Sequence, residues 1–344
     1  MSKAIKVGVI THAQGAHLDA YLPSLARVAE TECVALADPS GKIVPLARKS
    51  LGKKLSATYT DAAEMLRKFE PQMILVSMEA VLAPPVIDAA LDAGCHVLTE
   101  KPACVRVEDF ACLALKAERK HRHLMLALAN RVNPRVREAR RLFEEGKFGK
   151  IYGVEIHFLA DQARLKRAAY RNEWYCRKAQ AGGGYMIWLG IHWLDLALFL
   201  TGLKVKQIAG FAGVVGGQPI DIEDAAAAAL RFDNGSFGAM TAGYFLDSGK
   251  QSHIQIWGET GWLRLAEVEN APLEWYSTKE PGKPRVQHWQ PSKGESGYPP
   301  FVRAAVRASA GLEPPPITPA ESLHVLKAIF AFYEAARTGR SQEC

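Results

Sequence analysis

The sequence predicts an α/β protein in two parts: an N-terminal doubly wound parallel sheet, followed by a C-terminal α+β domain with a large, mostly antiparallel open sheet. Three observations predict it. Over residues 4–129, short β-branched apolar runs alternate with stretches of helical spacing, the pattern of repeated βαβ units. Beyond residue 150, strand-like runs follow one another directly, which reads as antiparallel pairing. A chain of 344 residues also exceeds a single ordinary core, since cores stop growing at roughly 250 to 300 residues. The division is placed between 1–128 and 129–344.

The elements follow in order. "AIKVGVI" (4–10) is the first strand, "THAQGAH" a polar turn and "LDAYLPSLARVAE" a helix. "ECVALAD" (32–38) is the second strand; "TDAAEMLRKF" (60–69) is a helix capped by Thr60 or Asp61, and "QMILVSM" (72–78) the third strand. A helix over 84–94 stops at Gly94, "CHVLTE" (95–100) is a fourth strand, and a helix over 107–120 leads to "HLMLALA" (123–129). After a helix at 135–146 come "IYGVEIHFLA", "VKQIAGFAGVV", "DAAAAALRFDNGSFGAMTAGYF" and "HIQIWGETGWLRLAE". "DNG" (233–235) predicts a hairpin with a type I′ turn, because Asn and Gly tolerate positive φ. Helices around 186–200 and 320–337 are expected to cover one face of this sheet, and residues 277–300, with five prolines, read as loop.

Composition narrows the function classes. Apolar residues make up 48% of the chain and charged residues 23%, which excludes disordered and fibrous classes. The net charge of +7 is spread over "ERKHRH", "RVREARR" and "RLKRAAYR", none interleaved with aromatics, so no nucleic-acid partner is expected. Six cysteines show no C-x-x-C or zinc spacing; reduced thiols of a cytoplasmic protein, and no metal site, are expected. No signal-peptide pattern opens the chain and no run approaches the ~18 apolar residues of a membrane span, so no membrane association is expected.

The turn after the first strand is where a doubly wound fold receives a pyrophosphate at a helix N-terminus. Here it runs Thr11, His12, Ala13, Gln14, Gly15, Ala16, His17, without the G-x-G-x-x-G fingerprint. Asp38, about 25 residues on, stands near the ~20-residue offset of an acid that hydrogen-bonds ribose hydroxyls and repels a 2′-phosphate. That favours NAD(H) over NADP(H); an Asp opening the "DPSG" turn is the alternative. Lys101, between Glu100 and Pro102, closes the fourth strand, either at a reacting centre or as a surface lysine before a turn. In "GGGYMIWLGIHWLDLALFLTG" (182–202), His192 and Asp195 interrupt an apolar helix, and burying them costs stability unless they have partners or a task. Helical spacing places Trp188, His192 and Asp195 on one face.

Glu100-Lys101-Pro102, "ANRVNP" (129–134) and the 182–202 stretch together resemble the glucose–fructose oxidoreductase / inositol dehydrogenase / rhizopine catabolism (Gfo/Idh/MocA) family. Segments in the family's order span nearly the whole chain, among them "AALDAGCHVLTEKPA", "IEDAAAAALRFDNGSFGAM" and "AIFAFYEAARTGR". The resemblance implies a Rossmann domain, an open sheet that makes a homodimer or homotetramer, and hydride exchange between nicotinamide and a secondary hydroxyl of a sugar, cyclitol or related polyol. It implies catalytic roles for Lys101 and His192, and a Lys101–Pro102 peptide that is often cis. Cofactor contacts are expected at Thr11, His12, Gln14, Gly15, Asp38, Ser77, Met78, Glu100, Lys101 and Arg131, and substrate contacts at Lys101, Tyr170, Trp174, Trp188 and His192. The chain departs from the family in the shortened glycine turn, in Ser77–Leu82 where T-P-N-x-x-H is usual, and in Trp188 where Asp is common. Imidazole titrates in the range a proton acceptor needs, and an ammonium stabilises developing alkoxide charge. Two other readings stand beside hydride transfer: a redox-neutral glycoside lyase or hydrolase, and a non-catalytic sensor or assembly protein on the same fold.

Overall fold

The computed structural model describes residues 4–266, 271–283, 285–291 and 295–344; the end of the expected strand at Glu267, and Pro284 and residues 292–294 of the expected loop, lie outside them. The chain forms two compact units. The first contains residues up to Ala129 together with Ala179–Gly182 and Ser296–Leu323; the second contains Asn130–Lys178, Gly183–Glu295 and His324–Cys344.

In the first unit, β1 (Ile5–Thr11), α1 (Leu18–Arg27), β2 (Thr31–Ala37), α2 (Val44–Leu51), β3 (Leu55–Tyr59), α3 (Ala62–Phe69), β4 (Met73–Ser77), α4 (Ala83–Asp92), β5 (His96–Thr99), α5 (Val107–Arg119) and β6 (Leu124–Leu126) alternate as expected. The sheet runs β3-β2-β1-β4-β5-β6, parallel throughout. Its inner strands are near-continuous apolar runs because both faces are covered, and every residue of β4 is buried. Asp61 is the cap of α3, its carboxylate accepting from the Glu64 amide at 2.6 Å. The sequence reading passed over α2 and β3. β3 is the sheet edge and only half-buried, so it lacks the continuous apolar signal of its neighbours.

The second unit begins with α6 (Pro134–Glu144) and β7 (Ile151–Asp161), then the short helices α7 (Ala163–Lys166), α8 (Ala168–Arg171) and α9 (Lys178–Ala181), the last passing into the first unit. After α10 (Ile191–Thr201) come β8 (Val205–Gly213), β9 (Ala225–Phe232), β10 (Phe237–Leu246), β11 (Lys250–Gly258), β12 (Gly261–Ala266), β13 (Leu273–Ser277) and β14 (Gln287–Trp289). α11 (Tyr298–Ser309) packs on α1 in the first unit, α12 (Pro319–Thr338) passes to the second after Leu323, and β15 (Gln342–Glu343) closes the chain. Nine strands form an open sheet ordered β14-β13-β12-β11-β7-β10-β9-β8-β15. All neighbours pair antiparallel except β7 and β10, which are parallel.

Four local expectations need correction. The 233–235 hairpin forms, but only Gly235 takes positive φ. The Gly235 amide closes on the Phe232 carbonyl and Asn234 Oδ1 accepts from the Ser236 amide and hydroxyl, so the loop is a three-residue turn ending in left-handed Gly rather than type I′. Within the expected loop 277–300, β14 forms and α11 begins at Tyr298. The helix at 182–202 opens with a π turn, Met186–Gly190, in which the Ile191 amide reaches back five residues to Met186. Finally, Lys178–Thr201 is long and apolar enough to cross a bilayer by length and composition, although 83% of its most apolar window is buried within the protein. Its character is that of a core helix: Trp193 stacks on Phe158 of β7 at 5.2 Å.

Candidate active site

The strand order reverses between β1 and β4, and ligands of doubly wound sheets bind at the carboxyl ends of the strands there. The turn after β1 is pinned over this point. Thr11 Oγ1 donates to the Ser77 carbonyl and Ser77 Oγ to the Ala16 carbonyl, both at 2.6 Å. Gly15 has to be glycine: a Cβ would run into Thr11 Oγ1 and lie 2.8 Å from the Ser77 carbonyl oxygen. His12 Nδ1 faces the Gln14 amide at 3.1 Å and Nε2 faces the Glu79 amide at 3.2 Å. A neutral ring accepts at only one of these nitrogens, so its tautomer selects which amide is held. The Glu79 side chain turns to Gln180 Nε2 at 3.0 Å. Met78 is buried beside Ser77.

Asp38 is buried, and its carboxylate organises its own loop: Oδ1 accepts from the Ser40 amide and hydroxyl at 3.0 and 2.7 Å, and Oδ2 from the Ile43 amide at 2.8 Å. The turn reading of this residue is thus the one its contacts display.

Lys101 is not a surface lysine. It is 2% exposed and stands two residues past the end of β5, and its peptide to Pro102 is cis. Its Nζ lies 4.0 Å from Glu100 Oε1. Glu100 Oε2 accepts from the Tyr21 hydroxyl and lies 3.2 Å from His17 Nδ1, which is itself 3.1 Å from the Tyr298 hydroxyl. Burial alone would raise the Glu100 carboxyl; His17, Lys101 and Tyr21 outweigh it and hold the group below its ordinary range. Lys101 therefore sits beside a buried anion. His17, Tyr21 and Tyr298 escaped the sequence reading because nothing local marks them: Tyr298 is 281 residues from His17.

In the second unit, the three residues expected on one helix face have different surroundings. Trp188 is 6% exposed, stacked on Tyr175 at 4.4 Å and edge-on to Trp174 at 5.3 Å. Asp195 instead meets Arg131, whose Nε and Nη2 lie 2.9 and 2.6 Å from the two carboxylate oxygens. The side chains of this pair are 4% and 2% exposed, so the guanidinium expected at the cofactor is neutralised within its own unit. His192, one turn along from Trp188, is half-buried. Tyr170 and Trp174 join the aromatic cluster: the Tyr170 and Tyr244 hydroxyls are 2.8 Å apart, Tyr170 lies 5.1 Å from Tyr175, and Trp174 is buried.

Two residues that sequence reasoning missed shape the amino end of this helix. Glu223 Oε2 accepts from the Gly184 amide at 2.7 Å and Oε1 from the Met186 amide at 2.9 Å. The Tyr333 hydroxyl donates to Glu223 Oε1 at 2.7 Å and accepts from the Ile187 amide at 3.1 Å. Glu223 lay unremarked in "IEDAAAAALRF", a strand-leading acid of no distinctive spacing.

Comparison with known proteins agrees with this architecture. Residues 5–128 match the family model "Oxidoreductase family, NAD-binding Rossmann fold", and residues 136–264 match "GFO/IDH/MocA C-terminal domain". The chain is 27% identical over 236 residues to the rhizopine catabolism protein MocA of Rhizobium meliloti, covering 67% of this chain and 69% of that protein. Against two other curated relatives it spans about half of their own length. Levoglucosan dehydrogenase, solved in complex with NADH and L-sorbose, has a similar fold with a TM-score of 0.85 at 19% identity, over 99% of each chain. The WlbA dehydrogenase of Bordetella pertussis, solved with NADH and UDP-GlcNAcA, gives 0.80 at 21% identity, also over 99% of each.

Proposed function

The chain belongs to the Gfo/Idh/MocA oxidoreductase family, and from that premise we propose that it is an NAD(H)-dependent dehydrogenase acting on a secondary hydroxyl of a sugar, cyclitol or related polyol. The observation that carries the reading is the buried Lys101 ammonium beside the buried Glu100 carboxylate at the end of β5. A lysine held this way, out of water, interacts strongly with charge that develops on a substrate oxygen. The NADH complexes of levoglucosan dehydrogenase and WlbA, with a sugar and a nucleotide sugar respectively, support the cofactor and the substrate class.

The residues present fit a dinucleotide. Gly15 lets the turn cross the ends of β1 and β4 with no side chain between them. His17, at the N-cap of α1, makes no side-chain cap, and the Ala20 and Tyr21 amides go to its carbonyl, so an anionic group would be received by the amides that precede them. Thr11, His12, Gln14, Gly15, Ser77 and Met78 would hold the pyrophosphate side, Asp38 the adenosine ribose, and Glu100 and Lys101 the nicotinamide side. Asp38 favours NAD(H), since its carboxylate repels a 2′-phosphate. When bound, nicotinamide supplies the hydride acceptor or donor.

This chain's own residues do the rest. Lys101 holds the reacting hydroxyl oxygen and stabilises it as alkoxide; His192 takes the hydroxyl proton. Trp188, stacked on Tyr175 and edge-on to Trp174, would form with Tyr170 and Trp174 an aromatic wall for the sugar. The exposed Phe211 and Phe237 on the open sheet, 80% and 61% accessible, suit a homodimer or homotetramer, and six free thiols suit a reducing compartment such as the cytoplasm.

Denaturing the purified protein and identifying released nucleotide by mass spectrometry tests the cofactor; nicotinamide absorbance against a polyol panel tests the reaction. Full turnover in Lys101→Ala or His192→Ala would remove those residues from the chemistry.

A further inference from the structure

We propose that Glu223 and Tyr333 are positioning residues for His192: from two distant parts of the chain they grip the amino end of its helix and so set where the imidazole stands. This rests on the reading of His192 as the proton acceptor.

A helix leaves its first four amides without internal partners, and a Ser, Thr, Asp or Asn usually takes some of them. This helix is preceded by Gly182, Gly183 and Gly184, which offer no side-chain acceptor. The accounting nevertheless closes. Gly184 and Met186 donate to the two oxygens of the Glu223 carboxylate, Tyr185 to the Glu223 main-chain carbonyl at 3.0 Å, and Ile187 to the Tyr333 hydroxyl. Only at Trp188, whose amide reaches the Gly184 carbonyl at 2.9 Å, does internal bonding begin. Four consecutive amides thus depend on two side chains and one carbonyl.

The glycines are what permit this grip. A Cβ on Gly183 would enter the Tyr333 ring, and one on Gly184 would run into the Glu223 carbonyl and lie 2.8 Å from its carboxylate. The two grips are also coupled, because the Tyr333 hydroxyl donates to the same oxygen that accepts from Met186. Glu223 stands two residues before β9, and Tyr333 lies on the long helix α12. The π turn Met186–Gly190 begins inside the grip and leads to the turn that carries His192, so the held amides connect to the imidazole through a departure from the regular helical ladder. The position of His192 is therefore sensitive to what holds Gly184–Ile187. Burial pushes the Glu223 carboxyl up while Tyr333 and the Met186 and Gly184 amides draw it back, as expected of an acceptor enclosed by donors.

The test compares full-length wild type with Glu223→Gln, which points an NH2 at one of the two amides, and Tyr333→Phe, which removes the shared hydroxyl. Expected in both are NAD(H) affinity within about twofold of wild type, KM within about threefold, and kcat lower by about tenfold or more, since misplacement of a reacting group acts on the chemical step. Amide exchange at residues 184–187 should quicken in parallel. Faster exchange with unchanged kcat would overturn the proposal, leaving a helix cap and nothing more; a fall in NAD(H) affinity equal to the fall in kcat would also overturn it. If Glu223→Gln fails to fold, Tyr333→Phe, which loses one oxygen from a packed ring, carries the test. If wild type itself turns over no polyol, the activity reading fails separately. Positioning is then judged by the His192 ring resonances: moved in the variants, they support it; unmoved, they overturn it.

Discussion

Replacing Asp195 by Asn should destabilise the protein by about 3 to 5 kcal/mol, the cost of stranding one member of a buried ion pair. The setting places this pair in the strong regime: side chains 4% and 2% exposed, with Arg131 forked across both carboxylate oxygens. The carboxamide is nearly isosteric, so packing is preserved and the loss is electrostatic. The Phe199 ring, 4.8 Å from the guanidinium carbon, faces the cation in wild type and variant alike, so its attraction cancels in the difference. Arg131→Met should cost a similar amount. The double variant Arg131→Met/Asp195→Leu should return to within about 1 to 2 kcal/mol of wild type, because no uncompensated charge is left inside. Equilibrium urea unfolding of all four proteins at one pH measures these differences. A single variant within 1 kcal/mol of wild type, or a double variant as unstable as the two losses summed, would refute the reasoning. The same proteins decide the role of Arg131: a stable double variant that no longer binds NAD(H) would make it a cofactor contact as well as an internal cation.

Gly15→Ala should lower NAD(H) affinity by about tenfold, since relieving overpacking of this kind takes ~1–3 kcal/mol and the turn must lift from Ser77 to do so; fluorescence titration checks it, and unchanged affinity would mean the turn is not the pyrophosphate site. Burial, with His123 and Arg122 nearby, pushes His96 down to about 4 from its ordinary 6.5. The folded state then disfavours the proton that the unfolded chain takes up, so this contribution is full above pH 6.5 and is lost as pH falls toward 4. Urea midpoints measured over that window should fall less steeply in His96→Gln than in wild type; equal slopes would contradict the assignment. Trp188→Ala should cost about 3 to 5 kcal/mol by opening a cavity against Tyr175 and Trp174, a loss that thermal unfolding would show and that a residue serving only as a substrate platform would not produce.

The sequence carried the parallel sheet because its signals are local. A strand covered on both faces, such as β4, must be apolar throughout, and an amphipathic helix must repeat near every third or fourth residue. Where burial is partial the signal fades, and α2 and β3 at the sheet edge were passed over for that reason. His192 was legible as a chemical outlier in apolar company and Lys101 by its place at the end of a strand, and the ordered motifs placed them in a family. Their partners were not. Asp38 as ribose acid or turn former, and Lys101 as buried or exposed, were alternatives that spacing alone left open.

By itself, then, the sequence determined the two-part α/β architecture, the strand alternation and the residue types available for hydride chemistry. Only the tertiary structure decided that Arg131 answers Asp195 across 64 positions, that Glu223 answers Gly184 and Met186 across 39 and 37, and that Tyr333 answers Glu223 across 110. The physical reason is that periodicity records which side of an element faces the core, a property of a few neighbouring residues. Pairing a buried charge or an uncapped amide requires a partner that strand order and packing bring from elsewhere in the chain.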